Sequence, residues 1–418
     1  MFTRAEARHF KCLRRVDVML RPFNILIGPN ASGKSTFLDI WQFLADALEH
    51  DIEEAVRRRA NALRELSWRL PKESPGFELG LEADIPPTIE TRFRRVRYEV
   101  RVGLDPEEGI VVSAENLWLL NPAAKAQTQP AARPLFPLDA EDTPIVRSPR
   151  ARKPKAMDFH LVVRKVETSG NDYFRSESTG WNISFRLSPK RLALSGVPED
   201  EKRFPVALWF RGFLRRGIHM LHLNSRLMRR PAPPDLTRTF QPDGSNLPIL
   251  VRWLQEEHPQ RFAWWVDHLR TVLDDMRTIE VHQRPEDHAL YLVVQYANGI
   301  GVPSWMLSDG TLRLMALTLI AYLPLTDQVF LIEEPENGIH PRAIEAVYQS
   351  LRSVYTGQIF LATHSPLFMA LAKPEDLLIF GKTEQGASDI VRGNEHPELQ
   401  SWRSQPTLDV LFAAGVLE

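Results

Sequence analysis

The sequence predicts an α/β fold with three parts: a parallel sheet core around a phosphate-binding loop, an antiparallel β-lobe, and an inserted mixed α/β and Pro-rich region. Three observations carry this prediction. First, an apolar run at 23–27 leads into Gly28-Pro-Asn-Ala-Ser-Gly-Lys-Ser35 and then into an amphipathic helix, the order of a phosphate loop. Second, the runs 329–332 and 358–362 are apolar and end in Glu333-Glu334 and Thr363-His364, as buried parallel strands do at the ligand edge of a sheet. Third, residues 77–83, 92–104 and 109–120 read as strands of an antiparallel sheet.

Composition narrows the class. The chain has 418 residues, 43% hydrophobic and 25% charged, with a formal net charge of −1. That is room for two or three soluble globular domains and no general nucleic-acid signal, so any basic surface must be local. Cys12 is the single cysteine, which rules out an internal disulfide framework and most thiolate metal sites. The first twenty residues carry scattered charges and no apolar core, unlike a signal peptide. Residues 314–325 are apolar but fall short of the roughly 20 that a membrane-spanning helix needs. A cytoplasmic protein without a membrane partner is expected.

Residues 2–20 read as two short strands turning around 13–15, and 23–27 as the buried strand that delivers the loop. Beyond it, Phe37, Ile40, Trp41, Leu44 and Leu48 fall at helical spacing, so one helix face packs inward. Helical character is expected to continue through 51–66 and to end at Pro71. In 92–101, Phe93, Val96, Tyr98 and Val100 alternate with arginines; the charged face either binds phosphate backbone or is solvated. Residues 121–155 are Pro- and Ala-rich without apolar periodicity and read as a mobile excursion. The cluster Arg147, Arg150, Arg152, Lys153 and Lys155 closes it, either a site for an anion such as nucleic acid or a solubilising linker. Strands resume at 159–167 and 181–187. Helices are expected at 204–214, 247–257 and 260–276, where Trp264 and Trp265 serve a core rather than a base-stacking platform. A short strand at 218–223, a strand pair at 279–284 and 288–296, a long helix from Ser308, a helix at 341–353 and a late strand at 377–380 follow. Residues 408–417 form a short apolar tail.

The chemistry gathers around the loop. In Gly28, Pro29, Asn30, Ala31, Ser32, Gly33, Lys34, Ser35 and Thr36 the glycines let backbone N–H groups turn inward on phosphate oxygens, and the helix N-terminus adds its positive end. Lys34 reaches the β- and γ-phosphates, and the Ser35 hydroxyl takes a position on Mg²⁺. Glu333 is expected to hold Mg²⁺ through water, and Glu334 to polarise the attacking water as general base. Ser308 and Gly310, flanking Asp309, open a helix whose free N–H groups suit an anion. His364 follows a buried strand, where it reaches a γ-phosphate. The loop 336–341 lies just beyond the acids.

In this order, GPNASGKS (28–35), LSDGTLR (307–313), VFLIEEPE (329–336), ENGIHP (336–341) and ATHSP (362–366) resemble the motifs of the ABC-type ATPases. They are most similar to the RecF/SMC/OLD-like branch, AAA-family ATPases of the AAA_21 or AAA_15 type. The resemblance implies a two-lobed head divided as 1–120 (phosphate loop and β-lobe), 121–218 (insertion) and 219–418 (signature, acids and switch His364). It implies ATP and Mg²⁺ as ligands, held between two protomers, with Ser308, Asp309 and Gly310 of one protomer completing the partner's site in trans. ATP binding then closes a homodimer and hydrolysis opens it. Three positions depart from the family: Glu333 stands where Asp is usual, Ala31 where Gly is common (a change expected to matter little), and no glutamine occurs in 67–75 to serve as a γ-phosphate sensor.

Most of the chain separates Ser35 from Leu307, unlike in transporter subunits. That gap holds no sustained heptads, unlike in SMC or Rad50-like proteins, and too few residues follow His364 for the TOPRIM domain of OLD nucleases. The expectation is a stand-alone head that senses or scaffolds for a separately encoded effector, a nuclease or TOPRIM-like protein, in bacterial anti-phage defence. The alternatives are a RecF-like DNA-repair ATPase that clamps duplex DNA with 92–101 and 147–155, and a nucleotide-locked assembly with negligible turnover.

Overall fold

The computed structural model describes residues 1–69, 75–121, 133, 135–147, 158–166, 172–184 and 187–401. The expected strands at the start form a hairpin, β1 (Phe2–Phe10) and β2 (Leu13–Met19). It turns at Lys11 and Cys12, two residues earlier than the pattern suggests, because Lys11 takes a left-handed φ of 52° and lets Phe10 pair with Leu13. The strand β3 (Phe23–Ile27) feeds the loop and helix α1 (Lys34–Glu49). The helix expected through 51–66 breaks: α2 (Ile52–Arg57) is capped by Asp51 accepting from Glu54 N at 2.8 Å, and only a 3₁₀ turn follows at Leu63–Leu66. Pro71 lies outside the described residues.

β4 (Gly76–Asp84), β5 (Arg95–Asp105), β6 (Gly109–Asn121), β7 (Asp158–Lys165), β8 (Tyr173–Arg175) and β9 (Asn182–Ser184) join the hairpin in an antiparallel sheet ordered β2-β1-β4-β5-β6-β7-β8-β9. After α3 (Pro205–Arg216) and β10 (Ile218–Leu221) come the helices α4 (Ser225–Met228), α5 (Leu247–Glu257) and α6 (Pro259–Arg270). A three-stranded antiparallel sheet of β11 (Met276–Gln283), β12 (Leu290–Tyr296) and β13 (Gly301–Pro303) follows. The last third runs α7 (Asp309–Leu319), β14 (Gln328–Glu333), α8 (Pro341–Arg352), β15 (Gly357–Ala362), α9 (Pro366–Leu371), β16 (Leu377–Lys382) and β17 (Ser388–Arg392).

The second large sheet is ordered β10-β14-β15-β3-β16-β17 and is parallel except for β17. Its strands read as unbroken apolar runs because both faces are covered. Leu26, Val329, Leu331 and Phe360 face a core shared with α1, α3 and the antiparallel sheet. Ile25, Ile27, Phe330, Ile332, Ile359 and Leu361 face the opposite core with α5–α9. The α1 aromatic positions lock it on this sheet: the Phe37 ring lies 5.8 Å from that of Phe380, and Trp41 lies 4.6 Å from Phe360. Buried Gln358 on β15 bonds both Phe2 N and Phe2 O at 2.9 Å, which ties β1 to the parallel sheet.

The charged face of β5 is closed at Arg97, whereas Arg101 keeps 37% of its side chain exposed and Arg92 and Arg94, just before the strand, are exposed. Arg97 is buried, with nitrogens 2.5 Å from Glu6, 2.8 Å from Glu82 and 2.6 Å from Glu99, while Arg101 pairs with Glu78 at 2.9 Å and Arg95 with Asp84 at 3.3 Å. What covers this ladder is part of the segment read as a mobile excursion. Among its described residues, Ile145 N and Val146 N donate to Glu78 at 2.5 and 3.0 Å, and Arg147 N donates to Glu99 at 2.9 Å. Gly80, mid-strand in β4, gives Ile145 its seat, since a Cβ there would stand 2.8 Å from Ile145 Cγ2. Arg133 and Leu138 N anchor the other end on Asp389 of β17, at 3.0 and 2.7 Å. Glu78 and Glu99 thus accept from the strap in addition to the strands, where Arg8 and Arg101 donate to Glu78 and Asn116 and Trp118 to Glu99.

Removing one partner from a buried ion cluster leaves charges unpaired, so Arg97→Met is expected to cost about 3–5 kcal/mol of stability. Urea unfolding followed by tryptophan fluorescence measures it; a loss below about 1 kcal/mol would mean the cluster contributes little beyond packing.

Candidate nucleotide-binding site

β3 ends at Ile27, and the chain turns through Gly28 (φ 142°), Ala31 (φ 59°) and Gly33 (φ 105°) before α1 begins. Such an alternation of backbone hand is the geometry in which loop N–H groups can converge on an anion. The glycines are demanded by close approach as well: a Cβ on Gly28 would lie 2.3 Å from Phe380 O, and one on Gly33 would lie 2.4 Å from Ser388 Oγ. Ala31 takes a left-handed backbone that glycine adopts freely and that costs an alanine about 1–2 kcal/mol. α1 has no acidic residue in its first turn, so its N-terminal field falls unneutralised on the loop. Lys34 Nζ lies across the loop and donates to Gly28 O at 2.7 Å and Pro29 O at 2.9 Å. Burial pushes its ammonium down to about 8, against the pull of Glu334 and Glu333. Ser32 Oγ is buried in the loop without a hydrogen-bond partner.

Sheet order brings the remaining groups to the loop. β15 lies between β3 and β14, so the carboxyl ends of all three open on one edge. With β10 they form a cleft of about 440 Å³ whose lining includes Lys34, Ser35, His222, Arg313, Glu333, Glu334, Asn337 and His364. Glu334 has left the strand ladder: its φ is 46°, its N–H donates to Ala362 O at 2.8 Å, and its carboxylate accepts from Asn337 Nδ2 at 2.5 Å. Glu336 accepts from Thr363 Oγ1 at 2.7 Å and His364 N at 3.1 Å, which fixes the loop that presents His364. Burial, with Lys34 close by, holds the His364 imidazole below its usual pKa, so it is neutral at pH 7.

The donor set suits a magnesium–nucleotide polyphosphate. Loop N–H groups and Lys34 match phosphate oxygens, and the Ser35 hydroxyl with the Glu333 carboxylate offers hard oxygens to Mg²⁺. Two such donors are too few to hold the ion alone, so phosphates and water would complete its shell.

The other expected residues lie elsewhere. Ser308 caps α7, its Oγ accepting from Thr311 N at 3.1 Å, and Asp309 pairs with Arg229 at 2.5 Å. Ser308 and Asp309 are exposed, and neither they nor Gly310 line the cleft. A Cβ on Gly310 would meet Gly338 O at 2.7 Å, so the start of α7 rests on the loop after Glu334. Arg147 pairs with Glu99 at 3.4 Å. Arg150, Arg152, Lys153 and Lys155 lie outside the described residues, as does the tail 408–417. Arg313, Asn337 and His222 escaped the sequence reading as lining residues. Position 313 ends the quoted signature, and position 337 sits in the quoted loop, so the spacing was visible and the direction of the side chains was not.

Residues 23–370 match the family model described as "AAA domain, putative AbiEii toxin, Type IV TA system". Among solved structures the chain is similar to an SMC head bound to the C-terminal winged-helix domain of ScpA, at 12% identity and a TM-score of 0.52, covering 93% of this chain and 96% of that one. It is also similar to an SMC head with an extended coiled coil, bound to the C-terminal domain of ScpA from Pyrococcus furiosus, at 11% identity and a TM-score of 0.50, covering 93% and 95%. No curated protein sequence matches it significantly. The mixed architecture therefore has the fold of an SMC head domain.

Phosphate contacts favour the charged ammonium, so bound ATP raises the pKa of Lys34 above its value of about 8 in the free chain. Sign follows directly: affinity is full below about pH 8 and falls as pH rises, by up to about tenfold per unit. Calorimetry at pH 9 in two buffers of different ionisation enthalpy should record proton uptake on ATP binding; proton release would contradict the assignment.

Proposed function

The chain belongs to the AAA_21 family of AAA-domain proteins, and from that premise we propose that it is an ATP-hydrolysing head that dimerises on ATP and drives a separately encoded effector. The observation that carries the reading is the meeting of Lys34, Ser35, Glu333, Glu334 and His364 in one cleft at the carboxyl edge of the parallel sheet. In this reading the loop amides and Lys34 hold the β- and γ-phosphates, and Ser35 with water-bridged Glu333 holds Mg²⁺. Glu334, oriented by Asn337, takes the proton of the attacking water, and neutral His364 donates to the γ-phosphate.

Dimerisation follows from what the cleft leaves out. Ser308 and Asp309 stand exposed and Gly310 partly buried at the start of α7, outside their own cleft. A second protomer would bring them to the γ-phosphate, so nucleotide acts as interface glue. The division 1–120, 121–218 and 219–418 is retained as part of this proposal. The similar head solved with a bound partner domain supports a protein partner; that this partner is an effector, nuclease or TOPRIM-like, is part of the proposal. Anti-phage defence in the cytoplasm is the setting proposed. No described helix is long and apolar enough to cross a membrane. Direct clamping of DNA is the weaker reading, because Arg95, Arg97 and Arg101 are committed to carboxylates.

Two variants separate binding from turnover. Lys34→Ala should lose ATP binding, whereas Glu334→Gln should bind ATP, lose at least about 100-fold in hydrolysis and elute as a dimer in ATP during size-exclusion chromatography with light scattering. Normal hydrolysis by the Glu334→Gln protein would remove Glu334 as the base, and a monomer in ATP would remove the dimer.

A further inference from the structure

Arg313 is the cation of the cleft that the reading above leaves without work. It lies on α7, the helix that begins at Ser308, and its side chain lines the nucleotide cleft together with Lys34, Glu333, Glu334 and His364. Half-buried there, it donates Nη2 to the carbonyl oxygen of Leu223 at 3.2 Å. Among the described residues no carboxylate lies within ion-pair distance of its guanidinium. Arg4, Arg8, Arg59, Arg97 and Arg229 all meet carboxylates, and Arg392 and Arg261, which like Arg313 meet neutral oxygens, lie outside the cleft lining. A guanidinium held by one neutral oxygen in a semi-enclosed cleft retains most of its donors for an anion. Its stem runs beside Gly338, where an added Cβ would sit 3.7 Å from Arg313 Cδ and Nε.

Position within the cleft decides which phosphate it meets. The loop amides and Lys34 sit where β3 passes into α1, while Arg313 enters from the β10–β14 end of the same sheet edge, beside Leu223 after β10 and Gly338 after β14. A polyphosphate laid from the loop toward Glu334 presents its terminal phosphate to that side. We propose that Arg313 binds the terminal phosphate of the nucleotide in its own protomer, making the cleft selective for a nucleoside triphosphate over a diphosphate. This rests on the nucleotide reading of the cleft. It goes beyond that reading because α7 then serves two sites. Its first residues face outward, and Arg313, just past its first turn, reads the phosphate within.

The test compares equilibrium binding of AMP-PNP and ADP, each with Mg²⁺, to the full chain and to Arg313→Met, Arg313→Lys and Lys34→Ala, with thermal melting run on each. Arg313→Met should weaken AMP-PNP by about tenfold to a hundredfold while ADP changes by less than about threefold, and Arg313→Lys should recover part of the loss. Equal weakening of both nucleotides marks a merely structural residue and overturns the proposal. So does an unchanged AMP-PNP affinity, or a lysine variant no better than methionine. Lys34→Ala should weaken both nucleotides. If the unmodified chain binds neither, the nucleotide reading itself falls; if it binds both and Arg313→Met leaves their ratio unchanged, that reading stands and only the role of Arg313 falls.

Discussion

The site depends on one topological constraint, the insertion of β15 between β3 and β14. Parallel strands bonded edge to edge lie about 4.8 Å apart, so one intervening strand separates the loop strand from the acid strand by roughly 10 Å. That spacing leaves room for phosphates, a metal ion and water between Lys34 and Glu334. It also brings His364, two residues past the end of β15, into the gap. The pairing of Glu333 with Ala362 and of Ala362 with Leu26 sets the three strand ends level. A slip of one residue would turn the Glu333 side chain to the other face of the sheet. The double core protects against that slip, because Phe330 and Ile332 would trade places with Val329 and Leu331 between two differently shaped packings.

Glu334 shows how the same edge stores strain. Its left-handed backbone costs about 1–2 kcal/mol, and no glycine relieves it. The hydrogen bond from its N–H to Ala362 O holds the turn open, and Asn337 holds the carboxylate. Both restraints come from neighbours on the cleft: β15 supplies one and the following loop supplies the other. Glu336 then reaches from that loop to Thr363 and His364, so the two polar strand ends are cross-linked. A disturbance of the loop 334–338 is felt on both sides of the cleft.

How much of this was legible depends on whether the signal was local. The phosphate loop, α1 and the two apolar strands were legible because burial on both faces leaves an unbroken apolar run, and the loop's glycines leave a fixed spacing. The strap 135–147 was not. Its composition reads as a linker, and it is ordered by carboxylates of Glu78 and Glu99 on distant strands, a set of contacts that no window of sequence contains. Arg97 misled for the same reason, since an arginine in an alternating strand normally faces water, and here three strands each contribute an acid to its far side. Ala31 is a different case: its residue type is ordinary, and the backbone hand it adopts leaves no local signal.

Helix α7 connects these local arguments. Gly310 lies against the carbonyl of Gly338, and Arg313 lies over the same glycine, so the helix and the loop after Glu334 touch at one point from two sides. Asp309 is pulled by Arg229, which also donates to Leu307 O at 2.8 Å, so the start of the helix is fixed to α4 and its end is packed in the core. A rigid helix of this kind has little freedom to bend; it moves as a unit or not at all. A ligand that engages Arg313 inside the cleft would therefore also bear on the exposed Ser308, just over one turn away at the start of the same helix. In a dimer joined through Ser308, that geometry would let each protomer register the nucleotide state of its own cleft at the surface it offers to its partner, without requiring a separate relay through the sheet.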